Sequence, residues 1–163
     1  MRVKILIGGC MKKIKILVIA IMCLFVVGCG SKEVIKTCKL VSDQSSNGYK
    51  SNTTYTIYSK NDIVTKVEQK EVIDSKKKDI LDFYKNEYNS IYKKYNKTYG
   101  GTTYKVNVKK NQLVLDVSIN YNKFKMDKYL NNNKEIKKYL NKKNQYTLDG
   151  IIEMYENIGG SCK

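Results

Sequence analysis

Residues 113–119 read Leu-Val-Leu-Asp-Val-Ser-Ile, and this stretch decides the fold. Every second residue, beginning with Leu113, is a branched apolar one, which is the spacing of a β-strand with one buried face. Asp116 and Ser118 lie between them and suit a face in water. The pattern therefore predicts a strand of an antiparallel sheet that is covered on one side only.

Two hairpins are predicted around this strand. Residues 103–108 alternate apolar and polar types and lead into it through a polar turn at 109–112. Upstream, residues 49–58 and 63–73 form the other hairpin around a four-residue turn, and a β-rich stretch at 34–41 precedes them. We expect the apolar side of the sheet to consist of Tyr104, Val106, Val108, Leu113, Leu115, Val117 and Ile119.

Helical periodicity appears in two places. Apolar residues recur every three or four positions over residues 75–96, with Asp74 and Ser75 as candidate caps. The residues of this helix that face the sheet are expected to be Ile80, Tyr84, Tyr88 and Ile91. A last helix is predicted between Thr147, as its N-cap, and Gly159, as its stop. The predicted fold is α+β: a small antiparallel sheet built from two hairpins, a long helix packed on one face, and a C-terminal helix.

The N-terminus has the features of an export signal. Lysines 12, 13 and 15 precede a twelve-residue apolar run at 16–27, which is short for a membrane-spanning helix and typical of a signal peptide. Val26-Val27-Gly28-Cys29 then resembles the lipobox of bacterial lipoproteins. That resemblance implies cleavage after residue 28, a diacylglycerol on the Cys29 thiol, a tether at 29–33 and a single domain at 34–163. An uncleaved signal anchor with a buried Cys29 is the alternative, and Met11 is an alternative start.

The cysteines and the missing histidine limit the chemistry. The chain has no histidine, which excludes Ser-His-Asp and Cys-His catalysis and histidine-ligated metal sites. Two of the five cysteines fall in the predicted signal peptide and Cys29 is the lipidation site. The remaining pair, Cys38 and Cys162, is predicted to form a disulfide, as expected in an exported domain. The densest carboxylates, Asp74, Asp79 and Asp82, share one helix start instead of a cleft. We expect no metal, no cofactor and no enzymatic activity.

The charge is strongly positive and is carried by lysine. Lysine and arginine total 31 against 15 acidic residues, and Arg2 is the sole arginine. Residues 1–28 contain five basic residues and no acidic one, so the rest of the chain carries +11. A lysine-only surface suits diffuse, salt-sensitive attraction to anionic lipids or envelope polymers and not base recognition in nucleic acid. The alternative is that the lysines reflect an AT-rich genome.

The layout resembles a known group. It combines the lipobox, Asn-Asp-Ile-Val-Thr-Lys-Val at 61–67 within a hairpin, a long helix, Gly-Gly at 100–101, Tyr-Lys-Val at 104–106 and a closing helix near Gly159. This order is similar to the YehR-like family of small bacterial lipoproteins, a domain of unknown function. The resemblance implies a small α+β domain on the outer side of a membrane, and it implies no reaction.

Two functions remain open at this point. The first is a membrane-anchored, non-catalytic binding or accessory domain at the cell envelope, which contacts anionic polymers or another envelope protein. The second is a small-ligand-binding lipoprotein that serves a transporter. Such proteins normally have two lobes around a cleft, and a chain of 135 residues after the predicted signal barely makes one.

Overall fold

The predicted strands pair into one six-stranded antiparallel sheet in the computed structural model, which describes residues 32–163. The two predicted hairpins are present, and one strand at each end of the domain extends the sheet. Along the chain, the strands are β1 (Glu33–Gln44), β2 (Tyr49–Lys60), β3 (Ile63–Asp74), β4 (Thr102–Lys109), β5 (Gln112–Asn120) and β6 (Ser161–Cys162). Across the sheet, neighbouring strands follow the order β4-β5-β3-β2-β1-β6.

Three α-helices and two short 3-10 segments complete the domain. They are α1 (Lys78–Tyr99), α2 (Met126–Leu130), α3 (Leu148–Asn157) and the 3-10 segments Ser45–Asn47 and Lys134–Tyr139. The cap prediction for α3 is confirmed, because Thr147 Oγ1 accepts a hydrogen bond from the Gly150 N–H at 3.0 Å. Gly159 follows this helix at φ +91°, a left-handed conformation that favours glycine.

The start of α1 differs from the prediction. Its N-cap is Lys77, and neither Asp74 nor Ser75 caps it. The Ser75 hydroxyl instead donates to the Gly48 carbonyl at 2.7 Å and accepts the Lys77 N–H at 3.1 Å. Ser75 therefore fixes the corner between β3 and α1, and the helix begins only after this corner.

One face of the sheet is covered by the helices. A cluster of Ile73, Leu81, Leu113, Leu115 and Val117 lies beneath α1. A second cluster lies beneath α3 and includes Cys38, Ile57, Val67, Ile151 and Tyr155. Both are built within Lys32–Lys163, which form one compact unit. This unit thus holds its own core, and we expect it to fold by itself.

Two residues of the predicted interface are more exposed than expected. Ile91 is 48% exposed, because Leu81, Tyr84, Tyr88 and Tyr92 form the stripe that faces the sheet and Ile91 lies about 100° away from Tyr92. Val108 is 37% exposed, because it lies near the end of β4, an edge strand.

A β-bulge corrects the predicted alternation at the start of β3. Strict alternation along the strand would place residues 63, 65 and 67 on one face, but the β2–β3 register shifts between Tyr58 and Ser59. Tyr58 pairs with Lys66 and Ser59 with Val64, which leaves Thr65 as the extra residue. As a result Val64 is buried, at 2% exposure.

The predicted disulfide is confirmed. Cys38 in β1 and Cys162 in β6 are bonded, with their Cα atoms 4.0 Å apart. The two residues are opposite each other in the antiparallel pair of β1 and β6. The bond therefore attaches the C-terminal tail to the first strand.

The described chain begins at the end of the sheet where β1 starts. Glu33 already pairs with Lys60, and the Lys32 carbonyl accepts the Asn61 N–H at 3.1 Å. The predicted signal peptide and Cys29 lie outside the described residues. No helix between Lys32 and Lys163 is long and apolar enough to cross a membrane.

Candidate functional site

The bare face of the sheet carries charges of both signs. The cross-strand register places Lys70 opposite Asp116, and Asp116 opposite Lys105. Threonines 54 and 56 lie beside them along a shallow trough of about 560 Å³. Acidic residues thus lie among the lysines of this face, which makes it less suited to a strongly anionic partner than a surface of lysines alone.

One ion pair on the bare face is formed by Lys66 and Glu68. Lys66 Nζ lies 2.9 Å from Glu68 Oε1 and 3.8 Å from the centre of the Tyr58 ring, and the Tyr58 hydroxyl donates to Glu68 Oε2 at 2.8 Å. Hydrogen bonds from Lys66 and Tyr58 lower the pKa of Glu68. Such an exposed pair contributes little to stability, but it leaves Lys66 less free for a partner.

Residues 121–147 form a second surface, which we call the cap. The cap covers the Lys32 end of the sheet, and backbone hydrogen bonds hold it there. The Tyr121 N–H donates to the Thr65 carbonyl and the Val64 N–H donates to the Tyr146 carbonyl, both at 2.9 Å. The Lys125 N–H donates to the Tyr99 carbonyl at the end of α1, at 2.8 Å. The cap is therefore joined to both the sheet and the long helix.

The outside of the cap is strongly basic. Its 27 residues contain eight lysines and only two acids, Asp127 and Glu135. All eight lysines are exposed. This surplus of six positive charges is more than half of the +11 carried by residues 32–163. The cap is therefore a surface that attracts anions.

The inside of the cap is aromatic. Phe124 is at the centre, with its ring centroid between 5.5 and 5.7 Å from those of four tyrosines. Tyr121 also lies edge-on to Tyr146 at 5.2 Å. Rings at these distances pack favourably. The tyrosines thus serve as core packing and not as an exposed stacking surface, and they hold the cap in place. The four that surround Phe124 are Tyr95, Tyr99, Tyr121 and Tyr129.

Two adjoining cavities open in the cap. The larger, of about 470 Å³, has Lys125, Lys128 and Lys143 among its lining residues. The smaller, of about 360 Å³, includes Lys134 and Lys137 in its lining. Asp127 and Asn144 line both cavities and are joined by a hydrogen bond from Asn144 Nδ2 to Asp127 Oδ1 at 3.0 Å.

The tyrosines of the larger cavity are neutral at pH 7, and burial moves their pKa values further above it. Burial is the main cause that raises the pKa of Tyr121 well above its ordinary value, and the neighbouring tyrosines, first Tyr155, raise it further. Burial likewise raises the pKa of Tyr146. Both phenols are therefore hydrogen-bond donors at neutral pH and add no negative charge to the cavity.

A partly buried acid lies beneath α1, where no acid was predicted. Glu71 lies on the covered face, and the Tyr88 hydroxyl donates to its Oε2 at 3.0 Å. The sequence contains a pattern that indicates this position, because Gln69 and Glu71 occupy every second position between Val67 and Ile73 and so belong to the same face of the strand. Burial raises the pKa of Glu71, although the bonds from Tyr88 and Gln69 oppose the shift. Glu71 lines none of the cavities described above, so we assign it a structural role.

The raised pKa of Glu71 predicts a pH-dependent stability. The carboxyl of Glu71 has a higher pKa in the folded protein than in the unfolded chain. Below a pH of about 4.3 this difference stabilises the folded state, and the stabilisation is lost as the pH rises through the pKa of Glu71 in the folded protein. Glu71→Gln removes this dependence. We expect the melting temperature of the Glu71→Gln variant, relative to the parent, to rise between pH 4 and pH 8. Glu68→Gln is a control whose effect has the opposite sign and lies below a pH of about 4.3, since the pKa of Glu68 is lowered. Parallel curves for the parent and Glu71→Gln would contradict the assignment.

The acids considered for catalysis stay dispersed. Asp74 ends β3, where its Oδ1 accepts from Gln112 Nε2 at 2.7 Å, while Asp79 and Asp82 are exposed on the first turns of α1. Within residues 32–163, no three of the side chains that commonly bind metals lie close enough together to hold an ion.

Comparison with known proteins identifies the fold. No protein-family model matches the sequence, and no curated protein is significantly similar to it. Among solved structures, the NMR structure of the E. coli YehR protein aligns with 82% of this chain and 92% of its own, at a TM-score of 0.52 and 17% identity. The chain has the fold of YehR.

A second structure shares the YehR fold. The NMR structure of a protein from Streptococcus pneumoniae TIGR4 aligns with 83% of this chain and 88% of its own, at a TM-score of 0.52 and 15% identity. The predicted resemblance to the YehR-like group is therefore confirmed. At these identities the likeness to YehR concerns the fold alone and assigns no activity.

Proposed function

We propose that this protein is a lipid-anchored, non-catalytic binding domain on the outer side of a bacterial membrane, and that its cap binds an anionic surface. The observation that carries the proposal is the position of the cap. Its eight exposed lysines lie at the Lys32 end of the sheet, which is also the end where the chain leads back to Cys29.

Chain length supports the proposal. Only Gly30 and Ser31 lie between Cys29 and Lys32, so three residue-to-residue steps join them, and an extended chain covers at most about 3.6 Å per step. A diacylglycerol on Cys29 would therefore hold Lys32 within about 11 Å of the lipid surface. This distance is close to the screening length of about 8 Å at physiological ionic strength. Each lysine at such a distance from an anionic surface contributes about 1 kcal/mol of attraction.

A small-ligand-binding lipoprotein accessory to a transporter is the second candidate. The cavity of about 470 Å³ favours it, since this volume is within the range of ligand pockets. A gene position beside transporter permease genes would support this candidate, and a position beside cell-wall genes would support the first.

The anchor predicts a modified N-terminus. In the protein purified from native membranes, we expect mass spectrometry to find Cys29 as the first residue, carrying a diacylglycerol. Two or three acyl chains hold a protein firmly on a bilayer, whereas one gives only marginal binding. An unmodified chain that still carries residues 11–28 would contradict the lipoprotein assignment.

Surface binding predicts a salt-dependent interaction of the domain without its lipid. We expect residues 32–163 to co-sediment with anionic vesicles at low salt and not to bind neutral vesicles. Added salt should release the domain from the anionic vesicles as it shortens the screening length to a few ångströms. Replacing Lys134, Lys137 and Lys142 by Gln should weaken binding by about 10- to 100-fold.

The matched control removes the same charge from the opposite end of the domain. Replacing Lys76, Lys109 and Lys110 by Gln should change the binding much less, because these residues lie at the end of the sheet far from Lys32. Equal losses in the two triple variants, or equal binding to neutral and anionic vesicles, would contradict the role of the cap.

A further inference from the structure

We propose that the larger cap cavity binds a phosphate ester that carries an apolar group, which is the chemistry of an anionic phospholipid headgroup with the start of its chains. The assignment of the lipid as the source rests on the proposed membrane anchoring. The cavity brings together two kinds of lining, basic and apolar, that a ligand of this class needs.

The basic lining selects an anion. Lys125, Lys128 and Lys143 contribute three ammonium groups, and all three residues are exposed, so no core packing holds their charges away from a ligand. Asp127 also lines the cavity and opposes an anion, but its Oδ1 accepts the hydrogen bond from Asn144 Nδ2. The excess of two positive charges favours a phosphate group, for which lysine is a common partner.

The apolar lining excludes a bare ion as the preferred ligand. Ile63, Val64, Phe124 and Met126 line the same cavity. An ion held against these side chains loses hydration without compensation. A phosphate ester avoids this loss, because its phosphate stays with the lysines while its carbon groups cover the apolar side chains. The neutral phenols of Tyr121 and Tyr146 line the cavity as well and do not repel the anion.

The place of the cavity fits a lipid. Ile63 and Val64 begin β3, directly after the turn at Asn61 that contacts the Lys32 carbonyl. The cavity is therefore at the end of the domain that the proposed anchor holds next to the headgroups. Its volume of about 470 Å³ is within the usual range for small-molecule sites.

The test is an NMR titration of the isotope-labelled domain, residues 32–163, with three soluble probes. They are dihexanoyl phosphatidylglycerol below its micelle concentration, the zwitterionic dihexanoyl phosphatidylcholine, and glycerol phosphate. We expect saturable shifts of the backbone amides of Asn122, Asn144 and Gln145 with the anionic lipid, and affinities at least about tenfold weaker for the other two probes. Glycerol phosphate that binds as tightly as the anionic lipid would show that the source is a free phosphate compound and would overturn the lipid assignment.

Two triple variants test the location. Replacing Lys125, Lys128 and Lys143 by Gln should weaken binding of the anionic lipid by about tenfold or more. The control, with Lys76, Lys109 and Lys110 replaced by Gln, should bind within about twofold of the parent. Melting curves establish that both variants remain folded. Equal affinities of the two variants, or the absence of saturable shifts with every probe, would overturn the site.

Failure of this site and failure of the proposed function give different results. If vesicle binding depends on salt and on the cap but no probe saturates the cavity, the proposed function stands and the site is wrong. If the anionic lipid saturates the cavity while the domain shows no preference for anionic vesicles, the site stands and the surface role of the cap is wrong.

Discussion

Reduction of the Cys38–Cys162 disulfide is expected to lower the free energy of unfolding of the domain by about 4–5 kcal/mol. The bond joins residues 124 positions apart, so it closes nearly the whole domain into one loop. In the chain-entropy model, the stabilisation comes from restricting the unfolded chain and grows with the length of this loop. Urea unfolding at equilibrium, with and without reductant, measures the difference.

The location of the bond adds a local effect. Cys38 is fully buried, and β6 contains only two residues, so the C-terminal tail is attached to β1 by the disulfide and by a few backbone hydrogen bonds, among them the pair between Thr37 and Lys163. The double variant Cys38→Ala, Cys162→Ala should be less stable than the reduced parent, because it also leaves a small cavity. Reductant should have no effect on this variant. An unchanged unfolding midpoint of the parent after reduction would contradict the prediction.

Tyr155→Ala is expected to destabilise the domain by about 3–5 kcal/mol, the usual cost of truncating a buried aromatic residue. Tyr155 lies on α3 and is buried, with its ring stacked on that of Tyr55 in β2 at a centroid distance of 4.1 Å. This stack attaches α3 to the sheet. Gly150, also on α3, lies against the Tyr139 carbonyl, where no side chain would fit, so α3 in turn supports the cap.

Tyr155→Phe is the matched control, since it keeps the ring and removes only the hydroxyl. We expect its stability to stay within about 1 kcal/mol of the parent. Thermal unfolding of both variants under oxidising conditions, with the disulfide intact, separates this effect from that of the bond. A Phe variant as unstable as the Ala variant would show that the hydroxyl, and not the stacked ring, holds α3 in place.

Features that depend on neighbouring residues could be predicted from the sequence. The alternation at 113–119 predicts β5 because side chains in a strand point to opposite faces in turn. The Thr147 cap and the Gly159 stop depend on backbone groups within a few residues of them, and both are confirmed. The disulfide could be predicted by counting, because only two cysteines lie beyond the lipobox.

Features that depend on distant partners could not be predicted. The β-bulge at Thr65 depends on how β2 pairs with β3, and the corner at Ser75 depends on the Gly48 carbonyl, 27 residues away in the chain. Ile91 and Leu81 are equally apolar, and only the direction in which α1 lies on the sheet buries one and exposes the other.

The sequence by itself determined the fold class, the cysteine pair and the excess of lysine, because periodicity, counts and net charge are properties of the chain alone. Only the tertiary structure decided where the lysines act. Folding places Glu68 and Asp116 among the lysines of the bare sheet face, whereas it brings Lys125 and Lys143, which are 18 positions apart, to one cavity at the Lys32 end. The physical reason is that electrostatic attraction depends on distances in space, and these are set by packing and not by position in the sequence.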